Sequence, residues 1–315
     1  MKGIPVAIND VAELALLRDS ADVMDDRDEV RRRWDSEGYL FFRGVIDTGA
    51  LEKVRLAYMR LLAEQGLVAS IDGESVWTGV PLKKERAIRH TDLPQSVWKD
   101  LVNHPSFDRA IRAALGEAPS WMPIVSYRAA LPSAEAPQGV FVGKHQDGYF
   151  TPGVKFWNVW VPLMDIPAHV GGLAIAPGRH KEGYLHVEGV QEIPTDVVPD
   201  EVWLRADYVP GDILIFNNLT PHSGMVNCSD LVRLSIDVRV VPASDVQPVI
   251  GTIVSIDDKS VQIAEEDGTT VTLVIDQDTY IRGIGPAAQS HGPGSRVLAS
   301  TDDTRTRAVV LRSAT

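Results

Sequence analysis

Cysteine and long apolar runs are scarce in this chain of 315 residues. Cys228 is the single cysteine, so the chain can form no internal disulfide and cannot supply a multi-cysteine metal site. No stretch approaches the roughly 18 apolar residues that a membrane span needs. Residues 1–17 lack the basic region and the continuous apolar run of a signal peptide. These features predict a cytoplasmic protein that does not contact a membrane.

Positive charge is also in short supply. The formal net charge is -12 at pH 7, and no dense stripe of Lys and Arg interrupts the acidic excess. Such a chain gains nothing by approaching phosphate backbones, so the charge disfavours nucleic acid as a partner, including for a nucleic-acid modifier with oxygenase chemistry. The remaining expectation is a small-molecule partner.

The pattern of apolar residues changes along the chain. In residues 52–67, Val54, Ala57 and Leu61 follow near-helical spacing, and the first 115 residues read as largely helical. From about residue 122 onward, short β-rich runs alternate with Gly and Pro turns. Many short strands with little helix between them favour a sandwich or a barrel. We therefore predict a mainly β fold with N-terminal and flanking helices.

A second, smaller unit is predicted after a linker-like segment that runs from Pro242 to Pro248. Residues 1–247 would form the main domain, and residues 248–315 a small β-barrel-like accessory domain. The accessory part shows no visible chemistry. A packing or oligomerisation module is the simplest interpretation, and it admits a homodimer.

The motif that carries chemistry is His145-Gln-Asp147. Non-haem iron that must also bind a co-substrate and oxygen uses two His and one carboxylate on one face. His–x–carboxylate spacing also occurs from His90, His180 and His186, but those sites lie at an apparent helix start or near turns. His145 instead follows an apolar run in the β-rich half, and a later strand and short loop lead to His222. These three residues are the predicted metal ligands.

One strand downstream of His222 has a polar face and an apolar face. In residues 231–239, Arg233, Ser235, Asp237 and Arg239 alternate with apolar side chains, so they share one face. Half exposure would explain such a strand, but inside a barrel the same face would line a cavity for an anion. An arginine binds a carboxylate in bidentate fashion, and a serine adds a hydroxyl donor.

With these residues in place, the sequence resembles the phytanoyl-CoA dioxygenase family over about residues 30–241. The resemblance includes the segments 34–45, 171–180 and 210–216, in addition to the residues above. It implies a double-stranded β-helix, or jelly roll, that uses Fe(II), 2-oxoglutarate and O2.

The resemblance also implies residue roles. His145, Asp147 and His222 match the iron ligands, and Arg233 matches the residue that pairs with the distal carboxylate of 2-oxoglutarate. Ser235, Gln146 and Trp160 fall where family members contact the co-substrate. Related halogenases replace the carboxylate ligand with a small residue, so the presence of Asp147 disfavours halogenation.

The predicted reaction is hydroxylation of an unactivated C–H bond in a small molecule, with natural-product biosynthesis as the expected setting. Desaturation, epimerisation and ring closure by the same chemistry stay open. Candidate substrate contacts are Tyr127, Arg128, Tyr149, Phe150, Trp157 and Arg239. Each aromatic among them has an alternative interpretation as a core or rim residue. Two rival functions also stay open. They are a metal-dependent isomerase or lyase on a jelly roll, and a non-catalytic binding protein on the same fold.

Overall fold

Two five-stranded sheets frame the part of the chain that carries the predicted site. In the computed structural model, one sheet has the order β1-β7-β6-β9-β4 and the other the order β2-β8-β5-β10-β3; they are called the minor and the major sheet below. The strands are β1 Ala15–Leu16, β2 Tyr39–Phe42, β3 Pro119–Ala130, β4 Phe141–His145, β5 Trp157–Pro162, β6 Leu173–Ile175, β7 Leu204–Arg205, β8 Ile213–Asn217, β9 His222–Met225 and β10 Arg233–Pro242. The structure describes residues 10–81, 92–133, 140–151, 153–187, 190–282 and 291–314.

The two sheets pack face to face through a shared core. Phe41, Trp160 and Leu214 of the major sheet belong to the same buried cluster as Leu173 and Ile175 of the minor sheet. Strands that are distant in sequence lie side by side, as β10 lies between β3 and β5. This arrangement confirms the predicted mainly β, double-stranded β-helix fold.

Four helices cover the outer face of the major sheet. They are α1 Arg27–Glu37, α2 Thr48–Glu64, α3 Gln95–Val102 and α4 Pro105–Leu115. Their apolar faces join Leu234, Ile236 and Val238 of β10 in one buried cluster. The alternate residues of β10 therefore face the space between the sheets, as period 2 requires. Helix α1 ends because Gly38 adopts the left-handed conformation, with φ 76°, which favours glycine.

A third sheet follows the jelly roll and is called the C-terminal sheet. Its strands are β11 Val249–Ile256, β12 Ser260–Glu265, β13 Thr270–Val274, β14 Tyr280–Arg282, β15 Arg296–Thr301 and β16 Ala308–Ser313, in the order β13-β12-β11-β15-β16-β14. It has a core of its own that includes Ile253, Ile263 and Leu311. The predicted boundary lies in the loop that joins β10 to β11, and independent folding of residues 248–315 stays a prediction.

Among the described residues, no helix combines the length and the apolar character that would let it cross a bilayer.

Candidate metal centre

The two predicted His ligands are cross-strand neighbours. Strands β4 and β9 pair antiparallel, and His145 at the end of β4 lies opposite His222 at the start of β9. Their ring centroids are 4.1 Å apart. The chain then turns after Gln146 into a one-turn helix, α5 Asp147–Phe150, whose first residue is the predicted carboxylate ligand. Three residues separated by up to 77 positions in the sequence therefore meet at one edge of the minor sheet.

The three side chains form the geometry that a metal requires. One ligand atom from each of His145, Asp147 and His222 lies within 4.8 Å of the others. Asp147 Oδ1 is 3.4 Å from His145 Nε2 and 3.8 Å from His222 Nε2. No other group of three or more His, Cys, Asp or Glu in the described residues could hold a metal ion.

Backbone carbonyls fix both imidazole rings. His145 Nδ1 lies 2.7 Å from the carbonyl oxygen of Gly143, and His222 Nδ1 lies 3.1 Å from that of Thr220. A carbonyl can only accept a hydrogen bond, so each neutral ring carries its proton on Nδ1 and leaves Nε2 as a free electron-pair donor. Metal-bound imidazoles are held in this way. The residues present therefore fit a divalent metal.

Burial and neighbouring charges shift the pKa values of the same three groups. Burial alone would raise the pKa of Asp147, but the charge of Arg239 and the hydrogen bond with His145 outweigh it, so that pKa lies well below its usual range. Burial, with a smaller contribution from the charge of His145, lowers the pKa of His222 to about 3. Burial lowers the pKa of His145 too, yet its contacts with Asp147 leave it raised. Asp147 is thus a carboxylate and His222 is neutral across the physiological range.

Arg239 holds the carboxylate from behind. Its Nη2 donates to Asp147 Oδ2 over 3.1 Å, while Oδ1 faces the two imidazoles. The two side chains are only 13% and 17% exposed. Arg239 was a predicted substrate contact, and the structure shows that it also orients the predicted metal ligand. The sequence pattern placed it on the right face of β10 but gave no sign of this contact.

A cavity of about 230 Å³ adjoins the triad between the two sheets, and it is called the co-substrate cavity below. Arg233 and Asp237 of β10 and Trp160 of β5 line it, together with the three triad residues. Arg233 is 7% exposed, and its Nη1 donates to the carbonyls of Gly171 and Gly172 over 3.0 and 3.1 Å. Burial lowers its pKa to about 10, so it keeps its charge at neutral pH.

Several polar groups around this cavity have no hydrogen-bond partner among the described residues. They are Arg233 Nε, Asn158 Nδ2 and Asp237 Oδ1 in its lining, and Ser235 Oγ two residues from Arg233 on the same face of β10. None of the salt bridges in the described residues involves Arg233, whose charge is buried beside the predicted metal ligands. Unsatisfied buried polar groups are costly, and a bound dicarboxylate would accept hydrogen bonds from the donors among them. The cavity therefore fits 2-oxoglutarate. Asn158 is not among the predicted site residues, although period 2 from Trp160 on β5 places it on the same face.

Three predicted contacts lie elsewhere. The Gln146 amide is fully buried and donates to the carbonyls of Gly183 and Leu219, while its oxygen accepts from the amide of Leu185, so it braces loops rather than contacting the co-substrate. Tyr127 points to the opposite face of β3 from Arg128 and packs in the helix-covered core.

Trp157 is likewise on the outer face of the major sheet. It stacks on Trp34 of α1 with ring centroids 3.4 Å apart. The ring of Tyr149 stacks on the ring of His186 with centroids 3.9 Å apart, and this contact positions Tyr149. Of the predicted substrate contacts, Arg128, Phe150 and Arg239 line a cavity next to Asp147.

Among the described residues, the competing His–x–carboxylate matches contribute to no metal site. The Nε2 atom of His186 accepts a hydrogen bond from the backbone amide of Gln146 over 3.0 Å. His180 lies in a short 3-10 helix, Arg179–Glu182. His90 and Glu188 lie outside the described residues.

Comparison with known proteins agrees with this geometry. The family model described as phytanoyl-CoA dioxygenase (PhyH) matches residues 34–235. Two 1-deoxypentalenic acid 11-beta-hydroxylases, from Streptomyces exfoliatus and Streptomyces arenae, are 31% and 30% identical over 250 and 248 residues. Each alignment covers 72% of this chain and 85% of the relative.

Solved structures share the fold. AviO1 from Streptomyces viridochromogenes Tue57 superposes with a TM-score of 0.50 at 16% identity, covering 70% of this chain and 97% of that one. The epimerase SnoN, in complex with Fe3+, alpha ketoglutarate and nogalamycin RO, gives a TM-score of 0.50 at 17% identity, covering 91% and 98%. The family match spans the triad and Arg233. The chain therefore belongs to the phytanoyl-CoA dioxygenase family and is a 2-oxoglutarate-dependent non-haem iron oxygenase.

Proposed function

We propose that this oxygenase hydroxylates a C–H bond of a small molecule, with Fe(II) held by His145 Nε2, Asp147 Oδ1 and His222 Nε2. The observation that carries the proposal is the convergence of these three atoms beside a cavity that is lined by the buried Arg233. Two His and one carboxylate on one face leave positions open for a co-substrate and O2. When bound, the iron and 2-oxoglutarate together activate O2, so that one oxygen atom enters the substrate and succinate and CO2 are released.

Arg233 is the proposed anchor for the distal carboxylate of 2-oxoglutarate. Its Nη1 is fixed by two backbone carbonyls, and its Nε has no partner among the described residues. A fork-shaped guanidinium in this position binds a carboxylate through two parallel hydrogen bonds. The unpartnered hydroxyl of Ser235, two residues along the same face, supplies a further donor. Trp160 forms one wall of the cavity.

Asp147 and Arg239 act together in this scheme. Arg239 bonds the oxygen of Asp147 that faces away from the imidazoles, which keeps the other oxygen directed at the metal position. The low pKa of Asp147 means that no proton has to leave before it can bind a cation. The carboxylate occupies the ligand position that a halide needs, which favours oxygen transfer over halogenation.

Hydroxylation is preferred over other outcomes because the relatives at 30 and 31% identity are named as hydroxylases. A metal-dependent isomerase or lyase would explain the triad. It would not explain the buried charge of Arg233 with the unpartnered hydroxyl of Ser235 beside it.

The test is oxygen transfer to a defined compound. 1-Deoxypentalenic acid, named for the relatives, is the first candidate in a panel of small molecules, each incubated with enzyme, Fe(II), 2-oxoglutarate and isotopically labelled O2. We expect succinate release and one labelled oxygen atom in the product, both abolished in His145→Ala. Product without label, or equal turnover in a His145→Ala variant shown to be free of iron, would contradict the proposal.

Location and assembly are part of the same proposal. The single cysteine suits a cytoplasmic enzyme, and the net charge of -12 argues against a nucleic-acid partner. A homodimer stays a prediction, which light scattering on the purified protein tests directly.

A further inference from the structure

A second cavity, of about 270 Å³, adjoins the candidate metal centre, and it is called the outer cavity below. Asp147 and Arg128 line both this cavity and the co-substrate cavity. The two cavities therefore meet at a predicted metal ligand. A substrate in the outer cavity would lie next to the metal without occupying the space assigned to 2-oxoglutarate.

The C-terminal sheet forms part of the wall of this outer cavity. Leu298 on β15 and Arg312 on β16, with Ala314 just beyond β16, contribute to the lining. The matched family region ends at residue 235, so these three residues lie beyond it. The predicted accessory unit thus reaches the neighbourhood of the metal centre rather than standing apart from it.

Buried apolar contacts hold the C-terminal sheet against the jelly roll. A buried cluster joins Met122, Phe156 and Val241 of the jelly roll to Ile250 and Leu298 of the C-terminal sheet. A buried apolar contact of this kind resists separation of the two parts.

Hydrogen bonds reinforce the same interface. Arg312 Nη1 donates to the carbonyl of Phe150 in α5, three residues after Asp147, and Arg296 Nη2 donates to the carbonyl of Pro123 over 2.9 Å. The C-terminal sheet therefore also supports the short helix that begins with the proposed iron ligand.

The charge of the outer cavity is opposite to that of the whole chain. Three arginines, Arg128, Arg239 and Arg312, line it against one carboxylate, Asp147, in a chain whose net charge is -12. Arg128 bonds Asp237 through Nε over 2.7 Å, and its other two nitrogens make no hydrogen bond in the described residues. A local cationic lining in an acidic protein favours an anionic ligand.

The rest of the lining is mostly apolar, with Ser126 and Thr151 as its polar members, and the space is small. Met122, Ile124, Phe150 and Phe156 contribute to it. A volume of about 270 Å³ holds about nine waters at ~30 Å³ each. The lining therefore matches a compact apolar skeleton that carries one anionic group.

We propose that the outer cavity is the substrate site, that it takes a compact apolar carboxylate, and that Arg312 of the C-terminal sheet helps to bind the carboxylate. This inference rests on the proposed function and specifies the substrate class of the same site. The C-terminal sheet is then a structural part of the active site.

The first test needs no variant. Protein loaded with Fe(II) and saturating 2-oxoglutarate is titrated without oxygen, by calorimetry, with alicyclic carboxylic acids such as adamantane-1-carboxylate and with the matching carboxamides. Saturating 2-oxoglutarate keeps the acids out of the co-substrate cavity. We expect each carboxylate that binds to do so at least about tenfold more tightly than its amide, as a charged hydrogen bond would give. No carboxylate in the panel binding more tightly than its amide would overturn the proposal.

The second test isolates the C-terminal sheet. Arg312→Gln should weaken carboxylate binding about tenfold and leave amide binding within about twofold. Arg307→Gln is the matched control, because Arg307 lies just before the same strand but bonds Asp276 instead of lining the outer cavity. Equal weakening by both variants, or weakening of acid and amide alike by Arg312→Gln, would contradict the assigned role of Arg312.

Failure of this inference is distinguishable from failure of the proposed function. The charge-transfer absorption of the anaerobic Fe(II)–2-oxoglutarate chelate reports the co-substrate site alone. Its presence in wild type and in Arg312→Gln, with no preference for carboxylates, would reject the substrate class and leave the oxygenase assignment intact. Its absence in wild type with iron bound would reject the oxygenase assignment itself.

Discussion

Replacing Arg239 by Gln should weaken Fe(II) binding, although Arg239 is not a proposed ligand. Its Nη2 donates to Asp147 Oδ2 over 3.1 Å, and this bond both orients the carboxylate and contributes to its low pKa. Gln is shorter and uncharged, so the variant loses the ion pair and leaves Asp147 free to rotate away from the imidazoles.

The magnitude follows from burial. Ion pairs at an exposed surface are worth about 0–1 kcal/mol. This pair is different because its side chains are only 13% and 17% exposed, and hydrogen bonds to charged groups in such places contribute about 1.5–3 kcal/mol. Since 1.4 kcal/mol is a factor of ten, iron affinity should fall about 10- to 100-fold, the range observed for residues that support metal ligands.

The assay is an anaerobic Fe(II) titration of metal-free protein, with thermal unfolding recorded to show that each variant is folded. Arg239→Lys keeps the charge without the fork and should recover part of the loss. Arg307→Gln removes an arginine from the pair with Asp276 in the C-terminal sheet and should bind iron as wild type does. Equal iron affinity in wild type and a folded Arg239→Gln would refute the reasoning.

Three further predictions concern pH, buried hydrogen bonds and backbone conformation. The pKa of His145 is raised, whereas His222 is already neutral, so only His145 must lose a proton when iron binds. Iron titrations at successive pH values should therefore show the affinity falling about tenfold per pH unit below the pKa of His145, which is the slope of one proton and not of two. Gln146→Leu leaves two backbone carbonyls and one backbone amide without their hydrogen-bond partner. It should lower the free energy of unfolding, measured with denaturant, by about 3 kcal/mol or more. A loss below about 1 kcal/mol would argue against the bracing role of Gln146. Gly171 has a φ of 69°, and the Cβ of an alanine there would lie 2.2 Å from the carbonyl oxygen of Val226. Gly171→Ala should therefore lower the melting temperature, and it should weaken 2-oxoglutarate binding because the carbonyl of Gly171 holds Arg233. Unchanged values would show that the backbone can move there.

Much of the site could be predicted because local sequence encodes it. A single residue separates His145 from Asp147, and the alternation of polar and apolar residues in β10 indicates which residues share a face. The same alternation could have corrected one prediction. Arg128 lines the two cavities, so its neighbour Tyr127 on β3 has to face the helix-covered core.

Contacts between distant segments could not be predicted in this way. Arg239 meets Asp147 across 92 positions, and Arg312 meets Phe150 across 162. Such pairs depend on how sheets pack and on where a loop turns, which no local pattern reports. Gln146 shows the same limit, because its partners belong to loops that follow β6 and β8. The role of the C-terminal sheet was therefore invisible in the sequence.

The central claim is that this chain binds 2-oxoglutarate on Fe(II) and that Arg233 anchors it. The most direct measurement is the visible absorption spectrum of anaerobic protein to which Fe(II) and then 2-oxoglutarate are added, compared with Arg233→Ala. The account predicts the weak charge-transfer band of the chelate in wild type, with half-saturation at least about tenfold higher in the variant, as loss of a buried charged pair implies. Absence of the band in folded, iron-loaded wild type, or an identical titration in Arg233→Ala, would contradict it.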